Sequence, residues 1–238
     1  MNSLLHCRNW GSSLNVSYMP LCLLFTFLAL AQPQTAAALG TEPGQIIGRV
    51  LAVFEGATIL SKTPGSKPVA VVKGMPVELG DRMTTDARGR VRIQFADRNE
   101  ELKAGPSILN LGPASEAVFD KFDVELEERH VGLRLIVGKI RSFFKGWGRN
   151  SAFDVRCGVA ICGIRGSDVI IMNYKEAAMG LVREGSMTMK GPNNRVDIGP
   201  GQVGSLVSDE KQIVKLSPWD VPDIWDTLIS EIEPPLPQ

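Results

Sequence analysis

Short apolar segments in which every second residue is polar recur along the chain at intervals of roughly ten residues, separated by glycine or proline. The clearest is Arg90–Phe95, where Val91, Ile93 and Phe95 alternate with polar residues. This alternation buries one face of a β-strand and leaves the other in water. Helical periodicity is hard to find before Asp220. The pattern predicts an all-β fold of many short strands, either a two-sheet sandwich or a β-solenoid.

The segment from Phe153 to Ile171 predicts a strand, a tight turn and a second strand. Phe153 and Val155 alternate with polar residues, and the apolar run that ends at Ile171 lies beyond two glycines. Glycine tolerates positive φ, and Ser and Asp side chains bond to nearby backbone groups. We therefore expect a tight turn with a structural rather than catalytic role. The residues of this predicted turn are Arg165, Gly166, Ser167 and Asp168.

The same segment and several others resemble, in order, the pattern of the FecR domain family. The extended strand that runs into a Val-Arg-Gly-Thr step is matched by Phe153, Val155, Arg156, Ile164, Arg165, Gly166, Ser167 and Asp168. The Leu-x-x-Gly-Asp step and the strand after it are matched by Leu79, Gly80, Asp81, Met83, Thr85, Gly89, Val91, Ile93, Phe95 and Asp97. Later steps fit Leu135, Gly138, Ile140, Val182, Gly185, Met187, Met189, Gly201 and Gln202. The resemblance extends from about Ile47 to Leu206, with Cys157 and Ser167 in place of two threonines.

The resemblance implies an exported module that binds a protein or ligand in envelope signalling. The best-known members of the family join this domain to a cytoplasmic anti-sigma region through one membrane span, and a further domain contacts an outer-membrane receptor. We expect this chain to be a stand-alone exported member without those two parts. Sigma-factor transduction is therefore not expected of it.

The first residues predict export. Leu21–Ala31 is an apolar run of eleven residues, whereas crossing a bilayer takes about 20. Small residues follow it, as in a signal peptide. We expect residues 1–38 to be a signal peptide that is cleaved after Ala31 or Ala38, which places the mature chain in the periplasm or at the cell surface. The alternatives are an uncleaved anchor and a buried helix. No later apolar segment is long enough to span a membrane.

The charge balance and the scarcity of histidine exclude several classes of function. The 26 basic residues are balanced by 26 acidic ones, so the chain has no global attraction to nucleic acid. No glycine-rich loop leads into a helix, as nucleotide binding requires. His130 is the only histidine outside the leader and has no Gly-x-Ser-x-Gly partner motif. We expect no enzyme activity, cofactor or metal. A secreted hydrolase that uses His130 is the weaker alternative.

Cys157 and Cys162 are the only cysteines outside the leader. In an unbroken strand their spacing would point the two side chains to opposite faces. A disulfide therefore needs a turn between them, which Gly158 can help to form. In an exported protein the pair is either a disulfide or two free, half-buried thiols.

An acidic stretch after Phe122 is followed by a basic stretch that ends near Arg141. Two interpretations are open. The strands pair antiparallel with opposite charges across them, or the basic residues bind an anionic wall polymer or a lipid headgroup. Trp147 lies between two glycines and is either a glycan contact or a lid on the core. The residues of this candidate binding surface are Lys139, Arg141, Lys145, Trp147 and Arg149.

Residues 217–238 differ from the rest, which predicts a β domain at 39–216 with an added C-terminal helix and Pro-rich tail. Ile224, Leu228 and Ile232 form an apolar stripe with helical spacing. So short a helix is not stable alone. It docks either on its own β domain or on a partner, and the Pro-rich end beyond it is expected to be disordered.

The function expected from the sequence is therefore an exported, non-enzymatic module for protein or ligand binding in envelope signalling. A structural or scaffolding protein that binds cell-wall polymer is the alternative. The expected partner is an unknown envelope protein or an anionic wall polymer.

Overall fold

The computed structural model describes residues 44–60, 65–96, 106–124, 128–144, 151–158, 160–174, 177–207, 213–216 and 224–234. Fifteen strands and one helix lie in these ranges, and the strands belong to a single hydrogen-bonded network. The predicted all-β class is confirmed. The strands are β1 (Ile46–Phe54), β2 (Ala57–Leu60), β3 (Val69–Ala70), β4 (Pro76–Glu78), β5 (Arg82–Thr85), β6 (Arg90–Phe95), β7 (Ile108–Leu111), β8 (Glu116–Val124), β9 (Arg129–Phe143), β10 (Ala152–Cys157), β11 (Ala160–Tyr174), β12 (Ala177–Lys190), β13 (Arg195–Ile198), β14 (Gln202–Val207) and β15 (Ile213–Leu216); the helix is α1 (Ile224–Ile232).

Three long strands, β9, β11 and β12, change partners along their length. The first half of β9 pairs with β8 and β10, whereas its second half pairs with β7 and β11. Each long strand has one glycine with positive φ near the change: Gly138 at 99°, Gly166 at 115° and Gly185 at 88°. Because L-residues rarely adopt such φ values, the three glycines allow the network to bend into two parts.

The apolar faces of the two parts pack against each other. Phe95 of β6, in one part, lies 6.4 Å from Phe119 and 6.0 Å from Phe122 of β8, in the other, measured between ring centroids. It also lies 5.6 Å from Phe144 and 6.4 Å from Phe153. Aromatic pairs at these distances contribute beyond their buried area. The core therefore lies between the two parts of the network.

The alternation in Arg90–Phe95 is confirmed by the burial of β6. Val91 and Ile93 are fully buried, while Arg90 and Arg92 lie on the opposite, outward face. The outward faces of β9 and β11 continue this surface beside β6 and β7. Helix α1 covers part of it, with Leu228 and Ile232 buried against the sheet. Of the two docking alternatives, the structure has the helix on its own β domain.

The predicted turn at residues 165–168 requires a correction. Strand β11 is continuous from Ala160 to Tyr174, and the turn that precedes it lies at Gly158. Between Arg165 and Asp168 the pairing with β12 shifts in register, which identifies a β-bulge. A bulge needs the same glycine and short polar residues as a turn. The pattern indicates a backbone irregularity there but not its type.

The Gly80–Asp81 step forms a buried turn between β4 and β5. Gly80 has a φ of 91°, and its N–H donates to the carbonyl of Phe119 at 2.8 Å. The carboxylate of Asp81 accepts a hydrogen bond from the N–H of Glu78 at 2.8 Å. Burial raises the pKa of Asp81 above its ordinary value of 3.8, the hydrogen bond from Glu78 lowers it, and the net shift is upward. The step therefore has a structural role.

Candidate functional site: a basic sheet face under the C-terminal helix

Four cations project from the outward face of β6 and β9 beneath the C-terminal segment. Arg90 and Arg92 are outward residues of β6, and Lys139 and Arg141 are outward residues of β9, with Asn110 of β7 between the strands. We call these five residues the basic face. The period of two in each strand places them together, because outward residues of neighbouring strands line up across a sheet.

Glu233, just beyond α1, makes the most contacts with the basic face. Its Oε1 accepts from Nη1 of Arg141 at 2.6 Å and from Nδ2 of Asn110 at 3.4 Å. Its Oε2 lies 3.2 Å from Nη2 of Arg92, while Nε of Arg92 donates to Oδ1 of Asn110 at 2.9 Å. One carboxylate thus bridges three strands of the sheet.

The last turn of α1 also bonds to the basic face. Nε of Arg90 donates to the main-chain carbonyl of Glu231 at 2.6 Å, and the carboxylate of Glu231 is paired with Lys139. The last turn of α1 contains no basic residue, although the carbonyls at a helix C-terminus need donors and favour positive charge. The sheet supplies both.

An apolar strip lies beside the basic face and receives the other side of the helix. Leu228 and Ile232 pack on the strip, with Ile229 partly buried beside them. The apolar strip consists of Ile170, Met172, Leu181 and Val203. Ile232 also lies close to Gly112, where an added Cβ would be 3.3 Å from its Cγ1.

Apolar and ionic contacts act together at α1. Burial of Leu228 and Ile232 contributes about 3 to 6 kcal/mol together. A helix of nine residues is not stable alone in water, so α1 is formed only while it is docked. Glu231 and Glu233 add ionic contacts at its C-terminal end.

Arg141 connects the basic face to the bulge in β11. Its Nε and Nη2 donate to the two carboxylate oxygens of Asp168 at 2.8 and 2.7 Å. Arg183 of β12 lies 3.7 Å from the same carboxylate. Burial lowers the pKa of Arg141, but the hydrogen bonds and charges of Asp168 and Glu233 outweigh it and raise the pKa. The guanidinium is therefore held permanently charged.

The sequence-predicted binding surface is divided by the structure. Lys139 and Arg141 belong to the basic face, but Arg141 is only 8% exposed and both side chains are paired with carboxylates. They are therefore covered rather than open to solvent. Lys145, Trp147 and Arg149 lie outside the described residues.

The alternative interpretation of that stretch, opposite charges across paired strands, holds for the strand pairing but not for its predicted carboxylates. Asp123 is opposite His130, and Glu125 and Glu127 lie outside the described residues. The carboxylate of β8 that pairs with a basic residue of β9 is Asp120, just before the acidic stretch. β8 and β9 pair antiparallel. Asp120 of β8 accepts two hydrogen bonds from Arg134 of β9, at 3.2 and 2.7 Å. Arg156 of β10 lies 3.9 Å from the same carboxylate.

Cys157 and Cys162 lie side by side as free thiols. Cys157 is opposite Ala160, and Cys162 is opposite Val155, in the β10–β11 hairpin. The turn at Gly158, with a φ of 55°, brings both side chains to the buried face of the sheet. A hydrogen bond to Cys162, and then burial, raise the pKa of Cys157. This keeps it protonated.

His130 is a half-buried residue of β9, opposite Asp123 of β8 and Ala152 of β10. Within the described ranges, no three His, Cys, Asp or Glu side chains are grouped as metal ligands. In that same part of the chain, no helix has the length and apolar composition that crossing a bilayer requires.

The sequence indicates half of this site. The basic stretch points to Lys139 and Arg141, whereas nothing in the sequence pairs them with Glu231 and Glu233, because 92 residues separate each carboxylate from its partner in β9. One signal is present: the predicted helix is acidic at its C-terminal end, where cations are favoured. Such a helix needs positive charge from another part of the fold.

The chain is similar to two crystal structures, at 1.65 and 2.50 Å resolution, of a protein assigned as an anti-sigma factor from Parabacteroides distasonis ATCC 8503. The similarity covers 57% of this chain and 59% of that one, with a TM-score of 0.43 and 14% sequence identity. The chain thus spans less than two thirds of that protein. No protein-family model matches the chain, and no curated protein matches it.

Proposed function

We propose that this protein is an exported, non-enzymatic module of FecR type that binds another protein in envelope signalling. The observation that carries the proposal is the basic face with its apolar strip, which together accept an acidic amphipathic segment. Helix-in-groove binding of this kind is a recurring mode of protein recognition. Charges around an apolar contact add specificity for the partner.

The positions of the FecR-pattern residues support this proposal. Gly80 and Asp81 form a buried turn, and Gly138, Gly166 and Gly185 lie where the long strands change partners. The residues of the resemblance thus build the scaffold. The surfaces that this scaffold presents, such as the basic face, are then the places for binding.

Export is tested by N-terminal sequencing of the protein recovered from the extracytoplasmic fraction. We expect a mature chain that begins at Gln32 or Leu39. Cytoplasmic protein with an intact Met1 would contradict the envelope location but would leave the proposed protein binding at the basic face untouched.

Binding is tested by photocrosslinking in intact cells. A photoreactive residue replaces Arg183, whose side chain is 53% exposed beside the basic face. The control replaces Val72, which is 56% exposed and follows β3, a strand that pairs with β2. We expect a protein adduct from position 183 and none from position 72. Equal adducts from both positions, or none at either, would contradict a specific partner at this face.

The scaffolding alternative is favoured by one observation of its own. A shallow groove of about 210 Å³ lies on the outward face of β10 to β13, around Gly163. Arg165, Lys190 and Arg195 line it together with Asp154. An excess of cations suits an anionic polymer. Cosedimentation with purified wall polymer tests it: binding that is lost when the three cations become Gln would favour the scaffold over the signalling module.

A further inference from the structure

We infer that α1 is a displaceable occupant of the basic face, and that the partner presents an acidic amphipathic helix that takes its place. The existence of a partner rests on the proposed function. The chemistry of the partner rests on the contacts that α1 itself makes.

The charge of the uncovered face favours an acidic partner. Among the described residues, the carboxylates paired with Arg92, Lys139 and Arg141 are Glu231, Glu233 and Asp168. When the C-terminal segment is displaced, two of these three carboxylates, Glu231 and Glu233, are removed from the face. The exposed face would then hold four cations and the single buried carboxylate of Asp168. Such a face attracts an acidic segment and repels a basic one.

α1 is a weak ligand for this face. It has nine residues, fewer than an isolated helix needs to be stable in water. Released α1 therefore unfolds. A longer helix that is already formed in the partner loses less conformational entropy when it binds. It can compete with a tethered segment that must fold each time it docks.

The contacts of α1 define what the competing helix must contain. Its apolar side must place side chains where Leu228 and Ile232 pack on the apolar strip. Its C-terminal end must place carboxylates where Glu231 reaches Lys139 and Glu233 reaches Arg141. A helix with basic residues at those two positions should be excluded.

The test uses the full mature chain and a fluorescent peptide of residues 224–234. Leu228→Asp in the chain places a charge in the apolar strip and should release α1, while leaving the sheet unchanged. Glu233→Gln should release it partly. We expect the Leu228→Asp chain to bind the peptide about tenfold more tightly than the wild-type chain, because a covered site lowers apparent affinity by the fraction that is open. The Glu233→Gln chain should lie between them.

Two controls fix the interpretation. Asp123→Asn removes a carboxylate from an exposed position of β8, away from the basic face, and should leave peptide affinity at the wild-type level. A peptide with lysine at the positions of Glu231 and Glu233 should not bind any chain. Equal affinity of the wild-type and Leu228→Asp chains for the peptide, or binding of the lysine peptide, would overturn the inference.

Hydrogen exchange on the wild-type chain tests the same point without a variant. If α1 is displaceable, its amides exchange by local opening, much faster than the amides of β11 and β12. Exchange of α1 only with global unfolding would show that it is a permanent part of the fold and would overturn the inference. Both experiments use purified protein. A negative result in either would therefore contradict the displacement of α1 without contradicting export or the crosslinking result in cells.

Discussion

The side chains of Arg141 in β9 and Asp168 in β11 meet diagonally across the two strands and form two parallel hydrogen bonds of 2.8 and 2.7 Å. The side chains are 10% and 6% exposed. The remaining guanidinium nitrogen, Nη1, donates to Glu233 at 2.6 Å. This one arginine therefore connects the bulge of β11 to the C-terminal segment.

We expect either half of the pair to be costly to remove. Arg141→Met leaves the Asp168 carboxylate buried beside only the more distant Arg183, and Asp168→Asn leaves the Arg141 charge to Glu233 alone. Removing one partner of a buried pair costs about 3 to 5 kcal/mol. The double variant should lose less than the sum of the two single losses, because no buried charge is then left unpaired. Urea unfolding of the four proteins measures this. Additive losses would show that the two residues are not coupled.

Local pattern is sufficient for the strands but not for their long-range arrangement. Alternation in Arg90–Phe95 assigns the buried and outward faces of β6 correctly, because a period of two depends on the strand alone. The antiparallel pairing of β8 with β9 is likewise predictable, since the two strands adjoin in sequence. The bend that divides the network into two parts is not predictable in this way. It depends on which strands pair with each half of β9.

The candidate site shows the same limit. The cations of β9 are visible in the sequence, which leaves two interpretations of them open. The position of Glu233 decides between an open and a covered surface, and it comes from a helix whose docking surface is built by β11, β12 and β14. No local pattern contains that information.

Gly166→Ala should destabilise the protein by more than the cost of a positive φ alone. Gly166 has a φ of 115°, and a Cβ there would lie 2.7 Å from the Cα of Gly185. The matched control is Gly74→Ala, where φ is 85° and nothing lies within 4 Å of the added Cβ. Strained backbone costs about 1 to 3 kcal/mol, so the control should fall in that range and Gly166→Ala above it. Equal losses in thermal or urea unfolding would show that the bulge has room for a side chain.

Asp81→Asn should change how stability depends on pH. Burial raises the pKa of Asp81 in the folded protein above 3.8, so the folded state holds this proton more tightly than the unfolded state. Stability from this group is therefore present at low pH and falls as pH rises through the folded pKa. The asparagine side chain of the variant has no group that titrates in this range, and its amide oxygen can still accept the hydrogen bond from the N–H of Glu78. In urea unfolding from pH 3.8 to neutrality, the free energy of unfolding of Asp81→Asn should rise relative to that of the wild type as pH increases. Parallel curves would contradict the raised pKa.

Cys157 and Cys162 should become oxidised to a disulfide in exported protein. They lie on one buried face of the β10–β11 hairpin, at diagonally adjacent positions of its two strands. Closing so short a loop would stabilise the fold by about 2 kcal/mol in the chain-entropy model. Both thiols are buried, and the raised pKa of Cys157 suppresses its reactive thiolate.

Labelling must therefore be done in denaturant, because native protein would resist it in either redox state. We expect protein from the extracytoplasmic fraction, denatured without reductant, to take up no alkylating label, and to take up two labels after reduction. Cys162→Ser should take up one label with or without reductant. Two labels on the unreduced wild type would show that the pair remains as thiols.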